Sequence, residues 1–386
     1  MSNKVFVVKC ASYDQAEEKL KELLDLMQGI ESFVSAGEKI VLKANLLLPA
    51  KPEKAVTTHP AIVGAIGRMV KDAGAIAILA DSPGSGFKYN EKMLKRIYRT
   101  CGLKETCEAA GIKLNFDTSA EEVSYPEGKL IKRFEVITPI LQSDGVLNLC
   151  KLKTHLFMHM TGAVKNSFGA IPGLAKPGYH AKLKDPERFA NMLIDLSNFV
   201  APRLSIMDAV VAMEGEGPNA GDPRHVGLIL ASTNPLAIDV VAGEIIGIDR
   251  QKNSVLIEAA KRGLGPTRLE EVDLVGVEKS ELRIPDFKLP ATICGETGFA
   301  GLPWFQRLLV PFFKDGMSVK PRIDKEKCIA CGSCYEACPM DAITLYEKEY
   351  SEIDDEKCVR CYCCHEMCQY DAVFLHKSLL YRFVNR

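Results

Sequence analysis

The C-terminal part of the chain contains two copies of one cysteine-rich unit. The first copy, IDKEKCIACGSCYEACPMDAITL, begins at Ile323, and the second, IDDEKCVRCYCCHEMCQYDAVFL, begins at Ile353. The spacing C-x2-C-x2-C-x3-C recurs in both copies and supplies eight cysteines: Cys328, Cys331, Cys334, Cys338, Cys358, Cys361, Cys364 and Cys368. Two copies are too few for a solenoid, so we interpret this region as a tandem duplication of one small unit.

The distribution of the cysteines predicts a metal centre rather than a disulfide framework. Nine of the fourteen cysteines lie between Cys328 and Cys368. Disulfides are spread through small secreted chains, whereas a reducing cytosol keeps thiolates available as metal ligands. The spacing is that of bacterial proteins with two [4Fe-4S] clusters, in which the fourth cysteine of each run binds the cluster of the other run.

The same rule predicts which cysteines share a cluster. The first cluster is expected to take Cys328, Cys331, Cys334 and Cys368, and the second Cys358, Cys361, Cys364 and Cys338. A zinc ribbon is the alternative, but its four ligands come as two separated pairs.

Two features depart from a regular duplication. Pro339 follows the first run, whereas Gln369 stands at the equivalent position of the second. This proline is not a ligand, so we expect both clusters to form and the second to differ in reduction potential. Cys363 is an additional thiol between ligands. We expect it to be a free bystander, with ligand exchange as the alternative.

In the first 280 residues, short apolar runs alternate with amphipathic stretches. Six runs rich in Val, Ile and Leu predict buried strands: KVFVVKC, KIVLKAN, AIAILAD, GVLNLCK, RLSIMDA and HVGLILA. Helical patterns occupy 14–27, 59–73, 185–199 and 235–246. This alternation predicts an α/β fold with a mostly parallel sheet and helices on both faces. A small α+β two-cluster ferredoxin domain follows it.

We predict four segments along the chain. They are an α/β domain at 1–280, a Pro-rich linker at 281–321, a two-cluster domain at 322–376 and a C-terminal tail at 377–386. The linker contains GLPWFQRLLVPFF with the only tryptophan, Trp304. We expect this apolar piece to pack on a flanking domain. Contact with a membrane surface is the alternative, but the polar face of the piece is not strongly basic.

Composition and hydropathy argue against two classes of partner. Lys+Arg is 49 and Asp+Glu is 50, so no overall basicity indicates nucleic acid. No stretch approaches the roughly 20 apolar residues of a transmembrane helix. The N-terminus lacks the long apolar segment and cleavage site of a secretory signal. We therefore expect a cytoplasmic protein.

Polar residues follow four of the predicted strands. Ligands of such sheets bind beyond the carboxyl ends of the strands, so we expect these residues to line one pocket. The candidate catalytic residues are Lys153, His155 and Lys165, and the candidate ligand-binding residues are Asn45, Asp81, His159, Asn166 and Asp208. Histidine has an ordinary pKa near neutrality, so His155 is the candidate proton donor.

A basic segment near this pocket predicts an anionic ligand, carboxylate or phosphate. Its members are Lys151, Lys153, Lys165, Lys176, His180, Lys182 and Lys184. A solvated basic loop is the alternative. His155 and His159 would share one face of a helix and could hold a metal, but no third ligand is evident. We therefore expect these two histidines to be satisfied within the fold or to face a substrate.

The motifs of the first domain resemble an uncharacterised family of iron–sulfur-centre proteins, domain of unknown function 362. They are KAN at 43–45, THP at 58–60, ADSPG at 80–84, KLKTHLFMHMTGAVKNSFG at 151–169, and MDAVVAMEGEGPNAG through NPLAIDVVAG. A ferredoxin tail commonly accompanies that domain. The resemblance implies an oxygen-sensitive redox protein of an anaerobe with a distant likeness to nickel-dependent lactate racemases. It implies no settled reaction.

These features together predict electron transfer. The two-cluster domain would exchange electrons with a low-potential partner protein and pass them to a ligand or partner at the α/β domain. Reduction of an anionic substrate is one version of this function. An excess of acidic residues in the C-terminal part that includes the two-cluster domain would attract a positively charged partner or domain surface. Two alternatives stay open: a dedicated ferredoxin whose α/β domain only docks a partner, and a redox-neutral isomerase or racemase-like enzyme with structural clusters.

Overall fold

The computed structural model describes residues 2–84, 86–290 and 319–378. The linker piece with Trp304 and nearly all of the predicted tail at 377–386 lie outside these residues. The start of the predicted linker is described, and its Leu282 and Phe287 are buried against the α/β core. The placement of the predicted domain boundaries stays a prediction.

Eleven strands lie in the described residues before 290. They are β1 (Lys4–Lys9), β2 (Lys39–Lys43), β3 (Ile76–Leu79), β4 (Lys113–Leu114), β5 (Ala120–Ser124), β6 (Arg133–Ile137), β7 (Gly145–His155), β8 (His159–Thr161), β9 (Leu204–Glu214), β10 (Asp222–Ser232) and β11 (Asp273–Val275). All six predicted strands are among them. Strands β5 and β6 form a separate antiparallel hairpin.

Ten α-helices lie in the same part of the chain. They are α1 (Ala16–Asp25), α2 (Pro60–Asp72), α3 (Glu91–Thr100), α4 (Leu103–Ala110), α5 (Thr138–Leu141), α6 (Ala163–Asn166), α7 (Lys176–Lys182), α8 (Pro186–Val200), α9 (Pro235–Ile246) and α10 (Ser254–Lys261). The four helical patterns of the sequence correspond to α1, α2, α8 and α9. None of the described helices has the length and apolarity needed to span a membrane.

Nine strands form one sheet in the order β11-β1-β10-β9-β7-β2-β3-β4, with β8 paired to β7. Neighbours are parallel from β9 through β7, β2 and β3 to β4, and β1 is also parallel to β11. Strand β10 is antiparallel to both of its neighbours, and β8 is antiparallel to β7. The prediction of a mostly parallel sheet is confirmed.

Both faces of the sheet are covered by helices. Successive side chains of a strand point to opposite faces, and β2 is buried on both. Ile40 and Leu42 pack into the core that contains residues of α1 and α2. Val41 packs into the other core, which contains residues of α8. The prediction of helices on both faces is therefore confirmed.

The carboxyl-terminal part has two short antiparallel ladders and two helices, one from each sequence repeat. The elements are β12 (Lys320–Ile323), α11 (Ser333–Glu336), β13 (Ile343–Tyr346), β14 (Tyr350–Ile353), α12 (Cys363–Met367) and β15 (Val373–His376). Strand β12 pairs with β15, and β13 pairs with β14. This is the predicted small α+β unit.

Two alternatives that the sequence left open do not describe the structure. The basic segment around Lys176 is not a solvated loop, because α7 buries Lys176 and His180 and leaves only Lys182 and Lys184 exposed. His155 and His159 do not share a helical face either. Strand β7 ends at His155, β8 begins at His159, and the two residues oppose each other across a tight hairpin.

Candidate functional site

The eight motif cysteines line two separate cavities. Cys328, Cys331, Cys334 and Cys368 line the first cysteine cavity, and Cys338, Cys358, Cys361 and Cys364 line the second. Each cavity thus takes three cysteines from one repeat and the fourth from the other. Four thiols around a cavity fit a [4Fe-4S] cubane, whose iron atoms each bind one cysteine.

Burial is the largest influence on the thiol pKa of one cysteine in each cavity. Burial raises the pKa of Cys334, and the neighbouring Cys331, Cys368 and Cys328 raise it further. Burial also raises the pKa of Cys358, with Cys361 and Cys338 adding to the effect. A bound metal favours the thiolate and offsets this cost, so the cavities suit cationic iron better than free thiols.

The two repeats use the same backbone geometry around their cysteines. Ala330 and Arg360, at equivalent positions, have φ of 52° and 57°, in the left-handed region. The amide N–H of Ala342 donates to Sγ of Cys338, and that of Ala372 donates to Sγ of Cys368, both at 3.2 Å. Such hydrogen bonds to cluster sulfurs are one determinant of reduction potential.

One position differs between the repeats for a visible reason. The first repeat has Gly332 at φ 79°, and the second has Tyr362 at φ 61°. A tyrosine in the left-handed region is uncommon and costs about 1–3 kcal/mol. Its ring is buried in the core shared with α8, and its hydroxyl donates to the Val319 carbonyl at 3.0 Å. Tyr362 therefore anchors the second cysteine loop to the α/β domain.

The cysteine-rich unit packs on the carboxyl edge of the sheet. Ala337, Cys363 and Met367 share an apolar cluster with Phe87 and Met213 of the α/β domain. Cys363 lines neither cysteine cavity.

Polar contacts join the same two units. Asn219 Nδ2 donates to the Cys368 carbonyl at 2.8 Å, and Lys88 pairs with Glu336 at 3.0 Å. An acidic side chain of the cysteine-rich unit thus meets a basic side chain of the α/β domain.

A small polar cavity lies where the two units meet. Its volume is about 50 Å³, which lies between the volumes of one and two water molecules at about 30 Å³ each. Its polar lining residues are Asn45, Asp81, Ser82, Lys165, Asn166, Lys176, His180 and Glu366. All but Glu366 belong to the α/β domain, and Glu366 lies on α12 between Cys364 and Cys368. We refer to this space as the interface cavity.

Four of the predicted site residues line the interface cavity, and three of these are held by hydrogen bonds. Asp81 accepts from Lys43 Nζ at 2.8 Å and from the Leu46 N–H at 2.9 Å. Asn45 Nδ2 donates to Asn166 Oδ1 at 3.0 Å. Gly169 must be glycine here, because an added Cβ would lie 1.8 Å from the carboxylate of Asp81.

Lys165 is the fourth and is held differently. Among the described residues, its ammonium group has no hydrogen bond or ion pair, and it lies 5.9 Å from the centre of the Phe168 ring. Burial lowers the pKa of Lys165, and the charge of Glu366 partly opposes that effect. The side chain is half-buried and directed at the cavity, so it is available to a bound anion.

Lys153 is fully buried and lies beside the cavity. Its Nζ donates to Asn45 Oδ1 at 2.9 Å and to the Val56 carbonyl at 2.6 Å. Burial, with the nearby Lys165, holds its pKa well below the ordinary value. Lys153 is therefore placed to hold the side chain of Asn45 in position.

His155 contacts the cysteine-rich unit directly. Its Nδ1 accepts from the N–H groups of Phe157 and Met158 at 3.1 and 3.3 Å. A neutral ring that accepts at Nδ1 carries its hydrogen on Nε2, and Nε2 lies 3.3 Å from Oε1 of Glu366. Burial, reinforced by Lys165, holds the pKa of His155 well below its ordinary value. The expected near-neutral pKa is therefore wrong for this histidine. His159 is buried in the same hairpin.

Two further residues of the cavity were noted in the sequence only as members of a basic segment. Burial lowers the pKa of Lys176 to about 7 and that of His180 to about 3. Lys176 donates to the carbonyls of Ser82 and Pro83. The His180 ring packs 4.6 Å from that of Phe189, centre to centre. His180 is thus neutral and adds no positive charge.

Asp208 lies in a different polar cluster. It pairs with the fully buried Lys151 at 2.7 Å and accepts from the Tyr13 hydroxyl at 2.9 Å and the His59 N–H at 3.0 Å. The Tyr13 ring stacks on His59 at 3.4 Å. Asp208 is not a lining residue of the interface cavity, and its satisfied network fits a structural role within the sheet, where β9 pairs with β7.

Sequence reasoning missed Glu366 and Lys43. Glu366 lies inside a cysteine motif, and the spacing of that motif identifies only the cysteine ligands. Lys43 belongs to the KAN motif, and its position one residue before the end of the apolar run KIVLKA was the available signal.

Comparisons with known proteins give two matches to family models. Residues 40–244 match the domain of unknown function DUF362, which is more than half of the 386 residues. Residues 321–375 match a 4Fe-4S dicluster domain. The C-terminal unit is therefore an iron–sulfur domain.

One curated relative and one solved structure give further likenesses. The chain is 32% identical over 302 residues to a thylakoid-associated protein of Synechocystis sp., across 76% of this chain and 89% of the relative. The lactate racemase apoprotein from Thermoanaerobacterium thermosaccharolyticum aligns with a TM-score of 0.39 and 12% identity. That alignment covers 62% of this chain and 56% of the racemase, and it carries no argument about function.

Proposed function

The chain belongs to the DUF362 family and carries a 4Fe-4S dicluster domain, and from this we propose that it is an electron-transfer protein that delivers low-potential electrons to a small anionic ligand in the interface cavity. The eight motif cysteines would hold two [4Fe-4S] clusters, which supply one electron each when bound. We place this activity in the cytoplasm; the thylakoid association belongs to the relative's name.

One observation carries the proposal. Glu366, two residues from Cys364 and two from Cys368, lines the interface cavity together with Lys165. Residues this close on a helix lie within one turn of about 5.4 Å. A ligand in the cavity would therefore sit within a few side-chain lengths of the second cysteine cavity, with no intervening domain.

The charge of the cavity supports an anion as the ligand. Lys165 has no partner among the described residues, whereas the carboxylate of Asp81 is already paired with Lys43. A carboxylate of three heavy atoms, formate, matches both the charge and the volume, and charge-assisted hydrogen bonds to lysine would hold it. Asn45 and Asn166 are placed to orient such a ligand.

Cluster content provides the first test. Protein prepared without oxygen is expected to contain about eight iron and eight sulfide ions per chain, because two cubanes of four irons require them. Iron and acid-labile sulfide analysis measures both. Stoichiometric zinc, or about four irons in a protein with all eight cysteines intact, would contradict the two-cluster assignment.

Ligand binding provides the second test, with formate as the probe and neutral formamide as the matched control. An anion favours the ammonium form of the cavity lysines, so binding takes up a proton when they start neutral. The pKa of Lys176 is about 7 and that of Lys165 is lowered. Formate affinity is therefore expected to be constant between about pH 5 and pH 7, where formate is ionised, and to fall about tenfold per pH unit above about pH 7.

Calorimetric titration of the holoprotein across this pH range measures the effect. Formamide carries no charge, so its binding should show no such slope. Equal binding of formate and formamide, or formate affinity that rises with pH, would contradict the proposal that the interface cavity binds an anion.

A dedicated ferredoxin whose α/β domain only docks a partner is the second candidate. The observation in its favour is the small cavity, about 50 Å³, which leaves room for one or two waters at about 30 Å³ each. This candidate predicts no formate binding at any pH and unimpaired exchange of electrons with a protein partner. The formate titration therefore separates the two candidates.

A further inference from the structure

Helix α3 presents a basic face next to the iron–sulfur domain. The basic side chains are Lys92, Lys95, Arg96 and Arg99. Their spacing of three and four residues places them on one side of the helix, and all are exposed. The buried side of the helix consists of Leu94, Ile97 and Tyr98. A surface groove of about 540 Å³ runs along the basic face.

Most of this positive charge is not neutralised within the described residues. Lys95 pairs with Glu91 at 2.5 Å. Lys92 and Arg99 have no ion-pair partner in the described part of the chain, and Arg96 contacts only an uncharged amide. At least three unit charges on one short helix create a positive potential in a protein whose net charge is −1.

The basic face adjoins the first cysteine cavity. Arg96 Nη2 donates to Oε1 of Gln369 at 3.3 Å, and Gln369 directly follows Cys368. Around the same cavity, Cys331 is exposed, as are Ile329 at 56% and Tyr370 at 43%. The loop of the second cysteine cavity is anchored in the α/β core by Tyr362, although Met340 of its lining is exposed at 43%.

We propose that the basic face of α3 and the exposed apolar residues Ile329 and Tyr370 form the docking surface for a small redox protein with an acidic face. Apolar residues next to a charged border are typical of specific protein interfaces. Charge of opposite sign steers such partners and raises their association rate. The inference rests on the proposed electron-transfer function, and it names the side on which electrons enter.

The chemistry at this surface is a transfer of one electron. The reduced partner loses one electron, the iron–sulfur domain gains one, and no bond forms or breaks. Electrons would enter at the first cysteine cavity, next to α3, and leave at the second, whose cysteine loop also carries the Glu366 of the interface cavity. The two cysteine sets would thus have different tasks. A nucleic acid or an anionic lipid surface would also meet a basic helix, but neither accounts for exposed apolar residues around a cysteine cavity.

The test uses the full-length holoprotein and an acidic two-[4Fe-4S] ferredoxin as the probe. The double variant Lys92→Glu/Arg99→Glu reverses the charge of the basic face. The matched control Arg250→Glu/Lys252→Glu makes the same change of residue types at exposed positions after α9. Binding is measured by calorimetry at low salt, and zero-length cross-links between lysines and carboxylates are mapped. Reduction by the ferredoxin is followed in a stopped-flow instrument, with photoreduced 5-deazariboflavin as the neutral reductant.

The α3 variant is expected to lose ferredoxin binding about tenfold or more at low salt, the order of electrostatic steering effects. The cross-links at Lys92 and Lys95 should disappear, and the rate of reduction by ferredoxin should fall by a similar factor. Reduction by deazariboflavin and all properties of the control variant should remain unchanged.

Equal ferredoxin binding by wild type and the α3 variant would overturn the docking surface and leave the proposed function intact. Loss of binding to vesicles of phosphatidylglycerol, with ferredoxin binding unchanged, would assign the face to a lipid surface instead. Wild-type protein that is reduced by deazariboflavin but by no ferredoxin would overturn both the docking surface and protein-mediated electron entry.

Discussion

Replacing Cys338 with serine is expected to remove the cluster of the second cysteine cavity and to leave about four of about eight iron atoms. The reason is that Cys338 lines this cavity with Cys358, Cys361 and Cys364, although its own repeat supplies the first cavity. Iron and sulfide analysis of protein prepared without oxygen measures the loss. Electron paramagnetic resonance of the reduced protein should show one cluster in place of two interacting ones.

Double variants identify which cluster is lost. Adding Cys361→Ser to Cys338→Ser should cost no further iron, because both residues serve the same cavity. Adding Cys331→Ser instead should remove nearly all iron. The opposite pattern would show that each repeat holds its own cluster. Cys363→Ser is the matched control within the same motif, and it should keep the full iron content because Cys363 lines neither cavity.

The α/β fold was predictable because its signal is a local pattern repeated many times. Each apolar run such as KIVLK is short and buried, and each helical pattern has a clear period. The antiparallel pairing of β10 with β1 and β9 was not predictable in this way. A strand buried on both faces shows the same apolar run whether its neighbour is parallel or antiparallel.

The site was predictable only in part, for a physical reason. Strand-end polarity correctly identified residues such as Asn45 and Lys165 as neighbours across the sheet edge. Contacts between domains depend on which surfaces meet, and no short pattern encodes the pair His155 and Glu366. The pKa of His155 could not be inferred either, because it depends on complete burial and on the nearby charge of Lys165, and both follow from the tertiary packing.

The second large prediction compares Lys165, which lines the interface cavity, with Lys153, which lies beside it. Lys165→Met is expected to preserve the fold and both clusters but to weaken formate binding about 10- to 100-fold. A charge-assisted hydrogen bond contributes about 1.5–3 kcal/mol, and each 1.4 kcal/mol is about tenfold in affinity. Methionine keeps the unbranched, flexible shape of the side chain. The Lys165 ammonium has no hydrogen bond to a described residue that the substitution would break.

Lys153→Met is the informative comparison, because this lysine is satisfied by the fold. Its loss leaves Asn45 Oδ1 and the Val56 carbonyl without their donor in a buried site. An unsatisfied buried acceptor costs about 1–3 kcal/mol, so this variant should unfold at lower denaturant concentration than wild type. Lys165→Met should not unfold at a lower denaturant concentration than wild type. It removes a half-buried charge that lacks a partner among the described residues, and this relieves a desolvation cost.

The measurements that separate these outcomes are formate titration, denaturant unfolding and oxidation of the reduced clusters by candidate small anions. If the cavity is the acceptor site, Lys165→Met should slow substrate-dependent oxidation about as much as it weakens formate binding, with iron content unchanged. Exchange of electrons with ferredoxin should stay at the wild-type rate, because α3 and the first cysteine cavity are untouched. Unchanged formate affinity and unchanged oxidation in Lys165→Met would leave the interface cavity without a role in electron delivery, and the α/β domain would then serve to dock a partner.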